Sequence, residues 1–233
     1  MADTARQTPN ARDGSQTSPA PPKVKTLAFV SALSGLLIVV TAQMTAPLVA
    51  ANQNARIDRA IYEVVPGGTQ RVAFGFSEDG LRPSPVNAGF GDCFYAVYDG
   101  QGALKGLALE GVGRGYQDVV KILYGYDPDR QIVTGMTVLE SRETQGLGDR
   151  IGKDPDFLQN FKGLDAAVDL ESNQLKNGIV AVMHGEKSQP WEVDGISGAT
   201  VGSRAVVAIL DAGLRNTLPK VRPHLDEIRK ARQ

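Results

Sequence analysis

Apolar side chains recur along this chain in three rhythms, and each predicts a different kind of element. Thr26 to Ala55 contains no charged residue, and Thr26–Thr45 within it is predominantly apolar. Twenty helical residues at about 1.5 Å each span roughly the 30 Å hydrocarbon layer of a bilayer, which predicts a transmembrane helix over residues 26–46. Ser31, Ala32, Ser34 and Gly35 would let another helix approach closely. The second rhythm is that of strands. Cys93–Tyr98 and Leu104–Glu110, separated by Asp99-Gly-Gln-Gly102, read as a hairpin. Val119–Gly125 and Ile132–Leu139 read as a second pair joined at Asp127–Arg130, and Gly178–Met183 is a further strand signal. The third rhythm is helical. Val201, Ala205, Ala208 and Ile209 lie along one stripe, with Val206, Leu210 and Leu214 adjoining it. A linker helix is expected within residues 47–69, with Ile57, Ile61, Val64 and Val65 on one face and Pro66-Gly67-Gly68 ending it. Asp154–Phe161 suggests a short helix.

Hairpins followed by a terminal helix predict an α+β fold with antiparallel strands and flanking helices, rather than a doubly wound sheet. The expected division is a tail at 1–25, the membrane helix at 26–46, the linker at 47–69, one domain at 70–218 and a C-terminal tail at 219–233. The first 22 residues are rich in Ala, Thr, Ser, Pro, Gln and Asn and hold too little apolar surface to offset ordering entropy, so they read as a disordered cytoplasmic tail. Arg6, Arg12, Lys23 and Lys25 precede the apolar segment, which by the positive-inside tendency places the N-terminus in the cytoplasm and the domain outside. A cleaved signal peptide competes, because Val49-Ala50-Ala51 resembles a cleavage site. Against it, the apolar run exceeds the usual 7–15 residues of such a leader.

Composition removes several classes of function. A net charge of −1, with no basic block, gives no footprint for nucleic acid. One cysteine, Cys93, cannot form an internal disulfide or hold an iron–sulfur cluster, and two histidines add little toward a metal site. No metal is expected, and Cys93, in a predicted strand, reads as buried and inert. Redox chemistry, if present, falls to an organic cofactor. Gly111-Val-Gly-Arg-Gly115 has the wrong spacing for the dinucleotide fingerprint and reads as a glycine-rich connection between strands, able to pass close to a flat ligand.

The densest chemical signal is Asp194-Gly-Ile-Ser-Gly-Ala-Thr-Val-Gly-Ser203, which runs into the amphipathic helix. Thr200 therefore lies at or just before a helix N-terminus, where free N–H groups and the dipole favour an anion. Gly195 and Gly198 let the backbone approach a phosphate. Spacing alone leaves two readings open, a plain helix cap and a phosphate site.

Ser197-Gly-Ala-Thr200, with the preceding Asp194-Gly-Ile, resembles the flavinylation motif of the FMN-binding domain family. Glu143-Thr-Gln-Gly-Leu-Gly148 resembles that family's Glu-Thr-Pro-Gly-Leu-Gly loop, with Gln145 in place of the proline. Gly115-Tyr116 before a strand is similar to its Gly-Tyr element. The correspondence runs over roughly residues 90–217. The resemblance implies FMN held by a phosphoester to Thr200, an acceptor side chain rather than a catalytic one. It implies an attachment loop shaped by Gly195, Ser197, Gly198 and Ala199, and a ring bordered by Glu143, Thr144, Gly146, Leu147 and Gly148. It further implies a flavin transferase during maturation, and a single-pass protein of the bacterial cytoplasmic membrane with its domain on the periplasmic side. Size, anchor and the Glu-Thr-x-Gly-Leu-Gly-Asp-Arg context are most similar to the G-subunit branch, from Rnf-type ion-translocating complexes that link ferredoxin and NAD. Membrane lipid and the other membrane subunits are then its partners, with no independent substrate turnover. The alternatives are the C-subunit branch, from sodium-pumping NADH:quinone reductases, and an anchored, non-redox binding module. Arg204 could neutralise phosphate or be a solvated helix residue, and Trp191 could stack on the ring or be structural. His184 and His224 have no partner at useful spacing and are assigned no role.

Overall fold

The computed structural model describes residues 22–77, 80–84, 93–144, 146, 148–169 and 171–231. The expected tail lies outside the described residues as far as position 21. The chain divides into two units, residues 1–52 and 53–233. Helix α1 (Pro22–Val64) begins in the first unit, so the linker expected as a separate helix is instead the end of one long helix. Its Lys23–Pro47 stretch, 25 residues with a mean hydropathy of 2.0 and none of it buried, is long and apolar enough to cross a bilayer. The hydroxyls of Thr41 and Thr45 donate back to Leu37 O (2.7 Å) and Thr41 O (2.8 Å), so both donors are satisfied within the helix itself.

In the second unit, strands β1 (Gln70–Ser77), β2 (Gly80–Pro83), β3 (Cys93–Tyr98), β4 (Leu104–Arg114), β5 (Val119–Asp127) and β6 (Ile132–Ser141) form an antiparallel sheet. Helix α2 (Pro155–Gln159) follows, then the short edge strand β7 (Leu164–Asp165), completing the order β2-β1-β3-β4-β5-β6-β7. Strands β8 (Val180–Val182) and β9 (Glu192–Asp194) pair in parallel, a separate ribbon that leads into helix α3 (Thr200–Val221). Helix α4 (Leu225–Lys230) ends the described chain.

Both faces of the sheet are covered, which is why every residue of β3 is buried rather than every second one. One face carries Cys93, Tyr95, Val97, Ala108 and Leu123, packed on Ala60, Ile61 and Val64 from the end of α1. A Cβ on Gly125 would lie 2.0 Å from Val64 O, so glycine there lets the helix end rest on the strand, where Thr134 also donates to Val64 O. The other face, with Phe94, Ala96, Leu109, Ile122 and Tyr124, packs on Val206, Leu210 and Leu214 of α3.

The Gly111–Arg114 run is the end of strand β4 and not a connection. Cβ atoms at Gly111 and Gly113 would stand 2.7 and 2.4 Å from the Ile209 side chain, so these glycines make the groove into which α3 settles. Beyond Leu218 the chain is not a tail. Helix α3 continues through Pro219 to Val221, and Ile228 of α4 is buried with its carbonyl accepting from the Tyr98 hydroxyl at 2.7 Å.

Candidate functional site

The approach to α3 is built around a four-residue turn. Ala199 N–H donates to Ile196 O at 3.0 Å, and Gly198 has φ +82° while Ser197 is on the ordinary negative side. Positive φ at the third position alone is the signature of a type II turn, and glycine meets it without strain. Before the turn, Gly195 N–H donates to Val182 O at 3.1 Å, and a Cβ on Gly195 would lie 2.8 Å from that oxygen. Asp194 fixes the approach from outside, accepting from Gly185 N–H at 2.7 Å and facing His184 Nδ1 at 3.1 Å. His184 therefore does have a partner, ten residues away across the β8–β9 ribbon, a spacing that sequence does not connect. His224 likewise lies 3.2 Å from Glu227.

After the turn, the residue capping α3 is Ala199, with Thr200 the first helical residue. Ser203 supplies the internal bracing. Fully buried, its Oγ accepts from Ile196 N–H (3.0 Å) and donates to Ala199 O (3.0 Å). Thr200 is exposed, and its hydroxyl makes no hydrogen bond among the described residues. A cap would spend the hydroxyl on a backbone N–H two or three residues on. The plain-cap reading of Thr200 is therefore corrected: a buried serine three residues later braces the turn, and the threonine hydroxyl has no structural task.

Thr200 opens onto a cleft of about 370 Å³, lined by Tyr116, Glu143, Thr144, Gly148, Gly198, Ala199, Thr200, Val201 and Gly202. That size suits a small organic ligand. The far wall comes from the loop after β6. Gly148 N–H donates to Thr144 O at 2.9 Å and Gly146 N–H to Asp149 Oδ1 at 2.7 Å, with Gly146 at φ +81°. Leu147 and Gln145 lie outside the described residues. Glu143 is 7% exposed, and its carboxylate accepts from Gln117 N–H at 3.1 Å, tying this loop to the β4–β5 connection. Gly115 and Gly148 flank it so closely that added Cβ atoms would come within 2.1 and 2.6 Å of its side chain.

The two walls meet through the turn of 3₁₀-helix at Gly148–Gly152. Ile151 is fully buried, and a Cβ on Gly202 would stand 3.0 Å from its Cγ2, which sets the first turn of α3 directly on this segment. The Lys153 ammonium, 2.6 Å from Asp149, holds that carboxyl below the usual aspartate range. Desolvation works to raise the pKa of Asp154, but hydrogen bonds from Phe157 N–H and Arg150 outweigh it and the net shift is downward.

The fold thus brings Glu143, Thr144 and Gly148 against Gly198, Ala199 and Thr200, while Gly195 and Ser197 sit behind the turn. Trp191, half-buried, is not among the cleft residues and holds the ribbon instead, its carbonyl accepting from Val180 N–H. Arg204 is exposed and lines no part of the cleft. Three contributors went unassigned from sequence. Tyr116 is 68% exposed at the rim, and the Gly115-Tyr116 pair was its signal. Val201, placed by periodicity on the buried stripe, is 53% exposed and faces the cleft, because the buried face of α3 instead runs through Gly202, Val206, Ile209 and Leu210. Arg150 reaches Ser197 O across 47 residues, a contact that no local pattern signals.

The chemistry available is that of an unengaged hydroxyl at the positive end of a long helix, beside a cleft whose glycines leave backbone exposed. Residues 115–215 match the FMN-binding domain family. The chain is similar to the G subunit of the ion-translocating oxidoreductase complex of Methanosarcina acetivorans, 28% identical over 191 residues that cover 82% of this chain and 90% of the relative. The corresponding protein of Vibrio vulnificus is 26% identical over 206 residues, covering 87% and 90%. The crystal structure of Shewanella oneidensis NqrC superposes with a TM-score of 0.59 over 77% of this chain and 99% of that one, at 16% identity, a likeness of fold. The glycine-bounded cleft, the Thr200 turn and these matches agree: residues 115–215 match the FMN-binding domain family, and over most of its length the chain is similar to the G subunits of ion-translocating oxidoreductase complexes.

Proposed function

We propose that this chain is the electron-carrying flavoprotein subunit of a membrane-bound, ion-translocating oxidoreductase complex of the Rnf type, with FMN esterified through its phosphate to Thr200. The observation that carries the reading is the Thr200 hydroxyl, exposed and without a hydrogen bond among the described residues, at the N-terminus of a 22-residue helix and on the edge of the cleft. Such a terminus stabilises a phosphate by its dipole and its free N–H groups. Gly198 keeps a side chain out of the approach, so the residues present fit a phosphate next to the turn.

Bound FMN supplies reversible electron transfer, chemistry that no side chain here provides. The chain's own residues hold and shield it. Gly195, Ser197, Gly198 and Ala199 present the acceptor hydroxyl, while Glu143, Thr144, Gly146 and Gly148 form the wall for the ring, with Glu143 acting through its backbone brace; Leu147 is assigned to the ring by the family motif alone. Val201 and Tyr116 add apolar surface at the mouth. A covalent tether suits a domain on the periplasmic side of the cytoplasmic membrane, where a dissociated flavin would be diluted away. The cations before the apolar helix place the N-terminus in the cytoplasm by the positive-inside tendency. Lipid surrounds the helix, the other subunits of the complex supply and remove electrons, and a flavin transferase forms the ester.

The test is intact mass and in-gel fluorescence of the denatured chain purified from its native membrane. The expected result is a fluorescent band, heavier by one FMN less one water, with the added mass on the Thr200 peptide. An unmodified, colourless chain from a host that possesses the transferase sinks the proposal.

A further inference from the structure

Behind the attachment turn, on the side away from the cleft, lies the Arg150 side chain. Its Nη1 donates to Ser197 O at 2.9 Å, and its Nη2 lies 2.8 Å from Asp154 Oδ2. Asp154 is held in its own right, since its other oxygen accepts from Phe157 N–H at 3.2 Å and caps α2. The guanidinium is therefore fixed by one partner and free to fix the other. Its backbone is anchored too, because the next residue, Ile151, is fully buried beneath Gly202.

The accepting atom matters. Ser197 O belongs to the central peptide of the turn Ile196–Ala199, and types I and II differ by a flip of that peptide. Gly198 at φ +82° is the type II form. With glycine at the third position both forms are sterically open, so the turn residues alone do not select one strongly. A charged donor on Ser197 O does select, because the flipped peptide points that oxygen away from Arg150. In a trans peptide the N–H is antiparallel to the C=O. With Ser197 O directed at Arg150 in the rear hollow, Gly198 N–H is directed to the opposite side, and Gly198 lines the cleft.

We infer that Arg150 is a positioning residue for flavin attachment: it locks the Ser197–Gly198 peptide so that Gly198 N–H is presented on the cleft side, next to Thr200, as a donor for the flavin phosphate. This rests on the proposed attachment at Thr200. Arginine suits the task because its planar fork serves two acceptors at once, whereas lysine offers a point charge.

The experiment follows FMN incorporation into the full-length chain by intact mass over time, in membranes supplied with a flavin transferase, at a temperature well below unfolding. Charged hydrogen bonds of this kind correspond to rate or equilibrium changes of about tenfold or more, which is the deficit expected for Arg150→Ala. Arg150→Lys, still able to reach Ser197 O, restores most of the rate. Gly198→Ala, which disfavours positive φ, is deficient alone and adds little to Arg150→Ala, because both act through one peptide. Wild-type incorporation in Arg150→Ala overturns the inference, as do independent, multiplying deficits in the double variant. Thr200→Ala is run alongside: covalent flavin retained in that variant defeats the attachment reading itself, whatever Arg150 does.

Discussion

The two walls of the cleft are made in opposite ways. The attachment wall, residues 194–203, is over-determined: Ser203 holds Ile196 N–H and Ala199 O, Arg150 holds Ser197 O, and the approach is tied by Gly195 N–H to Val182 O and by the Asp194 carboxylate to Gly185 N–H. The facing wall depends on fit. Glu143 is wedged between Gly115 and Gly148, and a methyl group at either glycine would collide with it. Hydrogen bonds fix directions, as the attachment proposed at Thr200 would demand, whereas close packing fixes a shape, as a flat ring would demand. Within the attachment wall the same division appears between two hydroxyls three residues apart on α3. Ser203 is buried and makes two hydrogen bonds; Thr200 is exposed and makes none among the described residues.

The contrast between the hydroxyls is broken most severely by Thr200→Ala. The expected outcome is complete loss of covalent flavin, seen by in-gel fluorescence, with unfolding free energy changed by less than about 0.5 kcal/mol because no structural bond is removed. Ser203→Ala should do the reverse in kind. It leaves the buried Ile196 N–H without its acceptor, a cost of about 1–3 kcal/mol in chemical denaturation. Flavin attachment should persist wherever that variant remains folded. A Ser203→Ala chain as stable as the original would show that the turn does not depend on its inner brace.

The packed wall is tested by Gly148→Ala. The new Cβ would stand 2.6 Å from Glu143 Cβ, an atom with no rotamer freedom to retreat, so the loop must shift. Overpacking of this kind costs about 1 kcal/mol or more. The expected signature is a lower denaturation midpoint with attachment at Thr200 slowed but not lost, since Arg150 lies two residues on in the same 3₁₀ turn while Ser203 still braces the turn from within α3.

The site was legible where function is written in consecutive residues. Thr200 precedes a clean apolar helical stripe, which left it between a plain cap and a phosphate site, and only the family motifs singled out Thr200 as an attachment point and the Glu143 loop as its partner. Arg150 was not legible, because its contact with Ser197 spans 47 residues and depends on how two loops fold together. Val201 was assigned to the wrong face because one apolar position at a helix start is satisfied by several phases of a 3.6 period. The hairpins β3–β4 and β5–β6 were read from their turns. Strands β1 and β2 were missed, and β8–β9 only half seen, since three-residue parallel strands carry little periodicity. Glycines at 111 and 113 argued against a strand on propensity. Tertiary packing overrode that, because only glycine leaves room for Ile209.

The smallest expected effect concerns acid and separates the walls once more. Asp149 lies on the packed side, where its carboxylate accepts from Lys153 and from Gly146 N–H, and both interactions lower its pKa. A carboxyl depressed in the folded chain binds its proton more readily when unfolded, so its contribution is present above the unfolded value of about 3.9 and is lost as pH falls through the folded one. The attachment turn relies on Ser203 and on backbone donors that do not titrate there, although Asp154 behind Arg150 shares the downward shift. Denaturation midpoints measured from pH 5 downward should therefore fall slightly less in Asp149→Asn than in the original chain, with the two curves converging at the acid end. Hydrogen exchange at Gly146 N–H should rise on acidification, after correction for intrinsic rates, before exchange at Ile196 N–H does. Simultaneous loss of protection at both amides would mean that the two walls open as one unit and that their different construction has no energetic consequence.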